Sequence, residues 1–331
     1  MKDGEGMESL LPHLRCPVCR SAVGLVEGEI GCLGLDCGLR YPVVDGAPVL
    51  IDERASMFRI TEVRRRDLRK RDQSRLQILA HRLLPSLDLN VAGRRNAARI
   101  AERLFAGNDR PEVLNIGGKH PRAALATLRR DPRVSCIECD AVPGNGIDVI
   151  TDPRRLPFAD GAFDAVFVDA VLEHGIEPQQ IVDELHRVLR PGGLVYADTP
   201  FMLPVHGGAF DFQRFSGLAH RRLFARFRQI DSGVSSGPAT ALGYAIQSVL
   251  LSMVRGRRPR FAMKVLSRIT LFWIKYLDLW LADRPGARDA ALGLYFIGER
   301  AESAVDDRQL QLGYIGNAPD LYARASEPAV S

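Results

Sequence analysis

Residues 147–200 decide the fold, and their sequence is IDVITDPRRLPFADGAFDAVFVDAVLEHGIEPQQIVDELHRVLRPGGLVYADTP. Apolar runs at 149–150, 163–168 and 194–197 predict buried strands, and apolar residues at helical spacing over 178–189 predict a helix. The sequence Pro191-Gly192-Gly193 ends that helix. Strands separated by one helix form a right-handed parallel unit, and ligands bind beyond their carboxyl ends. The polar residues at those ends are Asp152, Asp169, His174 and Asp198.

Three motifs in this region, D-x-x-x-LPF-x-D-x-x-FD-x-V, LEH and E-x-x-RVL-x-PGG, are specific as a set. Together they resemble the core of class I S-adenosylmethionine-dependent methyltransferases. The resemblance implies an α/β fold with a doubly wound, mostly parallel seven-stranded sheet. It also implies a methyltransferase enzyme whose cofactor, S-adenosyl-L-methionine, binds at the sheet edge.

The resemblance also assigns cofactor-binding residues. Asp140 is expected on the ribose hydroxyls, Asp152 on the adenine amino group and Leu156 over the ring, with Asp169 and His174 facing the methyl group. The end of strand 112–116 contributes Asn115, and the turn after it contributes Gly117 and Gly118. Glycine suits that turn because it permits close backbone approach to a ligand. Asn115 and Lys119 depart from the family pattern acidic-x-Gly-x-Gly. A non-catalytic partner that uses its amino-terminal segment to stabilise another methyltransferase is therefore one alternative.

Four cysteines near the amino terminus, Cys16, Cys19, Cys32 and Cys37, form two pairs about a dozen residues apart. This spacing, with glycines beside it, suits tetrahedral thiolate coordination of a structural Zn²⁺ ion with no open position. The segment resembles the zinc-ribbon proteins that activate tRNA and protein methyltransferases, most distinctly in its YP-x-x-DG-x-PVLI tail. A zinc ribbon joined to a methyltransferase domain also resembles the rRNA guanine methyltransferases, so rRNA base methylation is a second alternative.

The chain has 331 residues, 46% of them hydrophobic, and a net charge of +5. We expect a zinc ribbon (1–52), a basic helical linker (53–108), a methyltransferase domain (109–300) and a polar tail (301–331). The arginine-rich part of the linker, 64–75, fits a solvated helix or a phosphate-binding surface. Phe58 is the one aromatic residue nearby, so base stacking and a nucleic-acid partner are less favoured. A cytoplasmic location is expected, because no apolar run approaches ~18 residues.

The acceptor side contains the pattern H-x-x-x-x-D-x-x-RFS-x-L, which starts at His206. It resembles a methyltransferase subgroup associated with glycan and secondary-metabolite pathways. His206 is the predicted catalytic base and Asp211 the residue that orients it, although Asp211 and Arg214 also fit a pair that only shapes the loop. The prediction is methylation of an oxygen in a glycan, a lipid-linked molecule or a small metabolite.

A helical insertion is predicted at 239–285, before the last strand. Its large side chains fall on one helical face: Ile269, Phe272, Trp273, Tyr276, Leu277, Trp280 and Leu281. Such a face suits a core or a homodimer surface. The adjacent basic sequence RGRRPR at 255–260 also fits peripheral membrane contact through 255–281.

Overall fold

The structure is a computed structural model, and it describes residues 4–67, 84–117 and 123–317. Its main feature is a seven-stranded sheet. The strands in these residues are β1 (Val23–Val26), β2 (Glu29–Cys32), β3 (Arg40–Tyr41), β4 (Val43–Val44), β5 (Ala47–Pro48), β6 (Glu112–Ile116), β7 (Ser135–Asp140), β8 (Val149–Ile150), β9 (Phe163–Asp169), β10 (Leu189–Pro200), β11 (Phe227–Ser236) and β12 (Gly293–Arg300).

The seven strands lie in the order β11-β12-β10-β9-β6-β7-β8. β12 is antiparallel to its two neighbours, and the pairs from β10 through β8 are parallel. The prediction of a mostly parallel seven-stranded sheet is confirmed. Strands β7 and β8 lie on one side of β6, and β9 and β10 lie on the other. The direction in which strands are added therefore reverses beside β6. Ligands bind at such a point.

Helices cover both faces of the sheet. They are Gly4–Leu10, Ile60–Asp67, Gly93–Gly107, Ala123–Leu128, Pro178–Val188, Gly217–Leu223, Pro238–Ser252, Arg257–Leu271, Asp278–Leu281 and Asp307–Leu312. Along β9, Val166 and Val168 belong to one core cluster, while Ala165 and Phe167 belong to the other. This alternation is the period of two expected of a strand buried on both faces.

The amino-terminal segment packs directly on the sheet. Leu14, Ile30 and Leu50 are fully buried in the same core cluster as the strand residues of one face. Val49 forms a parallel bridge with Ile150, so this segment extends the edge of the sheet at β8. The cysteine-bearing part therefore shares its core with the larger sheet.

The domain boundaries stay predictions. The helix Gly93–Gly107, which the sequence assigns to the linker, packs against the sheet through Ile100 and Leu104. The basic residues Arg69, Lys70, Arg71 and Arg75 lie outside the described residues. In the predicted tail, Asp306 caps a short helix at Asp307–Leu312 and Leu310 is buried, so part of this segment packs on the domain.

The large side chains from Ile269 to Leu281, predicted to share one helical face, do not lie on one continuous helix. The helix of the insertion ends at Leu271, and Asp278–Leu281 forms a separate turn. Asp278 is fully buried. Its carboxylate accepts hydrogen bonds from the N–H groups of Ala239 and Thr240, at the start of the helix Pro238–Ser252, and these bonds offset the cost of burying the charge. Trp273 and Trp280 remain more than half exposed. Across 4–67, 84–117 and 123–317, no helix combines the length and apolar character needed to cross a membrane.

Candidate functional site

A cavity of about 320 Å³ opens at the carboxyl ends of β6, β7, β8 and β9. This volume lies within the range of pockets that hold small-molecule ligands. The residues that line it come from those strand ends and from two covering segments, around residues 57 and 207: Met57, Phe58, Ile116, Gly117, Cys139, Asp140, Ala141, Val142, Thr151, Asp152, Pro153, Arg154, Ala170, Val171, His174, Gly175, Ile176, Ile181, Gly207 and Phe210.

The structure brings Asp140 and Asp152 to this one cavity. The Asp140 carboxylate accepts a 3.0 Å hydrogen bond from the Val142 N–H, which orients it at the end of β7. The Asp152 carboxylate has more protein partners. It accepts hydrogen bonds from the Ser56 hydroxyl at 2.7 Å and from the Arg154 guanidinium at 2.9 Å.

Gly117 supplies the tight turn after β6. Its φ is +82°, and a Cβ there would lie 2.5 Å from the Val171 side chain. Both facts require glycine at a point where the backbone borders the cavity. Gly118, also predicted to bind cofactor, lies outside the described residues.

Three predicted cofactor residues do not line the cavity. Asn115 is buried and its side-chain amide donates a 2.6 Å hydrogen bond to Glu138, on the neighbouring strand. Leu156 is fully buried in the core, because the residues after Asp152 turn inward toward the amino-terminal segment. Asp169 ends β9 but is also absent from the lining.

Sequence reasoning missed the aromatic cover of the cavity. The Phe58 and Phe210 rings stack with centroids 6.2 Å apart, and both line the cavity. These residues are far apart in sequence and belong to no motif, so only the tertiary structure brings them together.

The predicted acceptor-side residues lie beside the cavity, in a cluster with Glu173 and His174. His206 Nδ1 lies 3.4 Å from the Asp211 carboxylate, and His206 Nε2 lies 3.5 Å from the Glu173 carboxylate. Arg214 pairs with Asp211 and holds the pKa of that carboxyl well below its usual range. Asp211 therefore contacts both Arg214 and His206, so the two roles predicted for it do not exclude each other. Sequence reasoning passed over Glu173, although it stands inside the LEH motif.

The four predicted cysteine ligands also come together. Their sulfur atoms all lie within 4.8 Å of one another, with 3.7 Å between Cys16 and Cys37 and 3.3 Å between Cys19 and Cys32. Four Zn–S bonds of ~2.3 Å in a tetrahedron give S–S separations of about 3.8 Å, so the cluster fits a four-thiolate metal site.

Residues 124–197 match the model of a family described as a methyltransferase domain. The chain is 33% identical over 142 residues to a demethylmenaquinone methyltransferase of Thermus thermophilus, covering 42% of this chain and 55% of the relative. It is 34% identical over 104 residues to an uncharacterised methyltransferase of a Mycobacterium species, covering 29% and 41%. The chain thus spans about half the length of the curated relatives it matches.

Among solved structures, one that resembles this chain is the geranyl diphosphate C-methyltransferase of Streptomyces coelicolor. The TM-score is 0.41 and the identity 15%, over 71% of this chain and 87% of that one. The sequence matches support an S-adenosylmethionine-dependent methyltransferase in general, and they leave the acceptor open.

Proposed function

We propose that this chain, as an S-adenosylmethionine-dependent methyltransferase, binds its cofactor in the 320 Å³ cavity and methylates an oxygen of its acceptor. The observation that carries the proposal is the position of Asp140 and Asp152. Both carboxylates border one cavity, at the strand ends beside the reversal of strand order. Parallel sheets bind nucleoside-containing ligands at this place.

The residues present fit the cofactor. Asp140, whose carboxylate can accept several hydrogen bonds, suits the ribose hydroxyls. Asp152 suits the adenine end, and Gly117 gives the backbone close access to the ligand. The cofactor, when bound, supplies a methyl group on a positively charged sulfonium.

Methyl transfer to a hydroxyl also requires a group that removes the proton of the acceptor. His206 supports this role because its ring lies between two carboxylates, Asp211 at Nδ1 and Glu173 at Nε2. A histidine so placed can take a proton and be stabilised as a cation. His174 borders both this cluster and the cavity, which supports a role for the cluster beside the proposed cofactor site.

Calorimetric titration with S-adenosylhomocysteine tests the proposal. Wild-type protein should bind one equivalent, and Asp140→Ala should weaken binding at least about tenfold, since hydrogen bonds to a charged group contribute about 1.5–3 kcal/mol. Asp109→Ala, which removes an exposed acid away from the cavity, is the matched control. Absence of binding by wild-type protein would favour the non-catalytic partner, and equal affinity in both variants would reject this cavity.

The proposed metal is a structural Zn²⁺ ion on Cys16, Cys19, Cys32 and Cys37. All four thiolates are protein ligands, so the site has no open position for chemistry. Its role would be to hold together a small segment that contains little core of its own, and through Leu14 and Leu50 to support the edge of the sheet.

The proposed acceptor class is a small metabolite, a glycan or a lipid-linked molecule. The name of the Thermus relative specifies a demethylated menaquinone, which supports a small-molecule acceptor. The insertion supports access to a lipid-linked one. Trp273 is 55% exposed and Trp280 67%, and the side chains of the basic segment 255–260 are exposed as well. We propose that this surface contacts anionic lipid headgroups.

A further inference from the structure

Glu173 is a buried carboxylate in the cluster beside the cavity. Its side chain is fully buried, and neither of its oxygens has a hydrogen-bond partner among the described residues. A buried carboxylate costs several kcal/mol unless it is paired or coordinates a metal. Arg214 interacts with Glu173 electrostatically, and the Nε2 atoms of His206 and His174 lie 3.5 Å and 3.8 Å from one of its oxygens. Both distances are long for hydrogen bonds.

The other ring nitrogen of each histidine also has an oxygen atom near it. His174 Nδ1 lies 2.8 Å from the carbonyl oxygen of Phe210, which can only accept, so Nδ1 carries the proton. His206 Nδ1 lies 3.4 Å from the Asp211 carboxylate. The His174 ring therefore presents Nε2, with its lone pair, to the Glu173 side, and the His206 ring also has its Nε2 on that side. Metal-binding histidines have this arrangement, because a carbonyl or carboxylate partner fixes the tautomer and the ring orientation.

The loop after His206 holds His174 in place. A Cβ on Gly207 would lie 2.5 Å from His174 Cε1, so only glycine allows this close approach. Asp211 fixes the start of the same loop by accepting a 2.7 Å hydrogen bond from the His206 N–H. The cluster is therefore positioned by packing and by backbone hydrogen bonds on both sides.

We propose that Glu173, His174 and His206 bind a divalent transition-metal ion of the zinc class, separate from the four-cysteine site. Their ligand atoms lie within 4.8 Å of one another. Metal–ligand bonds of ~2.0–2.2 Å at tetrahedral angles separate ligand atoms by about 3.4 Å, close to the two measured contacts. Two histidines and one carboxylate leave coordination positions open, and this ligand set occurs in metal sites that act on bound substrates.

The inferred role rests on the proposed function. An ion here would lie beside the cavity, because His174 lines the cavity and belongs to the cluster. An open coordination position could hold an acceptor oxygen next to the cofactor. In that state His206 Nε2 would be a ligand, and the acceptor hydroxyl, acidified by the ion, would release its proton to solvent instead of to His206.

Metal content of the full chain tests the binding without cofactor or acceptor. After equilibration with zinc and removal of loosely bound ion, elemental analysis should find two equivalents in the wild-type protein. Glu173→Gln should retain one, while Glu302→Gln, an exposed acid-to-amide control, should retain two. Calorimetric titration of zinc should show a loss of affinity of at least about 100-fold for the weaker site in Glu173→Gln.

His206→Gln gives a second measurement if Glu173→Gln does not fold, since the His206 side chain is 36% exposed. It too should retain one equivalent. One equivalent in wild-type protein, or two in either ligand variant, would overturn the metal site. Failure to bind S-adenosylhomocysteine would instead reject the proposed function and leave the second zinc equivalent in place.

Discussion

The Ser56 hydroxyl donates a 2.7 Å hydrogen bond to Oδ2 of Asp152. This contact joins the segment that leaves the four-cysteine region to the carboxylate at the end of β8. The backbone carbonyl of Ala55 accepts a further hydrogen bond from Arg154 at 3.0 Å. Residues 52–58 therefore lie across one end of the cavity, and the amino-terminal segment forms part of the candidate site.

The Phe58→Ala substitution tests this cover. Stacking between aromatic rings contributes about 0.5–1.5 kcal/mol beyond buried area, and Phe58 stacks on Phe210 over the cavity. We expect S-adenosylhomocysteine to bind roughly threefold to tenfold more weakly, as measured by calorimetry. Phe261→Ala, a partly exposed phenylalanine in the insertion, should leave the affinity unchanged. Wild-type affinity in Phe58→Ala would show that residues 52–58 do not contribute to binding.

The His206→Ala substitution separates acceptor chemistry from cofactor binding. His206 does not line the cavity, so the affinity for S-adenosylhomocysteine should stay within about twofold of wild type. Turnover of a responsive acceptor should fall by roughly 10²–10⁴-fold, the usual range for loss of acid–base catalysis. Single-turnover kinetics measures the rate and calorimetry the affinity. Equal turnover in variant and parent would remove His206 from the acceptor chemistry.

If the four cysteines bind zinc as proposed, loss of that zinc should destabilise the whole protein. Cys19→Ser should lose the zinc equivalent of this site and lower Tm by roughly 4 °C or more in scanning calorimetry, because Leu14, Ile30 and Leu50 share a core cluster with the sheet. Cys136→Ser, outside the cluster, should keep the zinc. An unchanged Tm after zinc loss would mean that the segment folds independently of the sheet.

His220 makes stability depend on pH. Burial against Phe224 lowers the pKa of His220 to about 3, below its ordinary value of 6.5. Between these two values the unfolded chain binds the extra proton, so stability is fully present above pH 6.5 and falls as the pH decreases. From pH 7 to pH 5 this group should remove about 2 kcal/mol from the free energy of unfolding.

The control for this pH dependence is His220→Phe, which keeps an aromatic ring and removes the titrating group. Urea denaturation measures the free energy of unfolding at pH 7 and at pH 5. Its decrease between these pH values should be about 2 kcal/mol larger in the parent than in the variant. Equal losses would mean that the pKa of His220 is the same in the folded and the unfolded chain.

The insertion's exposed surface gives a prediction about membranes. Wild-type protein should sediment with vesicles containing anionic phospholipid and much less with neutral vesicles, because the segment 255–260 is basic. Trp273→Glu should reduce sedimentation severalfold, whereas Leu312→Glu, another exposed apolar residue, should not. If the wild-type protein does not sediment, or if Trp273→Glu sediments equally well, the exposed surface of the insertion does not bind membranes through Trp273. A second copy of the chain would then be the expected partner of that surface.

Much of the sheet was predictable because its signals are local. The apolar run at 163–168 corresponds to β9, and the helix predicted at 178–189 ends at Val188, just before Pro191. The site was predictable only in part. Asp140, Asp152, Gly117 and His174 line the cavity because parallel strands bring their carboxyl ends to one edge. Asn115 lies elsewhere, since successive side chains of a strand point to opposite faces, and Leu156 lies elsewhere because the chain turns inward after Asp152.

The amino-acid sequence by itself indicated the strands and the helix of residues 147–200, the turn at Gly117 and the four-cysteine cluster, because periodicity, glycine requirements and ligand spacing act over short distances. Only the tertiary structure decided what covers the cavity and what surrounds Glu173. Phe58 meets Phe210, and Glu173 meets His206, across loops whose approach depends on how the core packs. Such proximity arises from the sum of many weak contacts, and no local pattern encodes it.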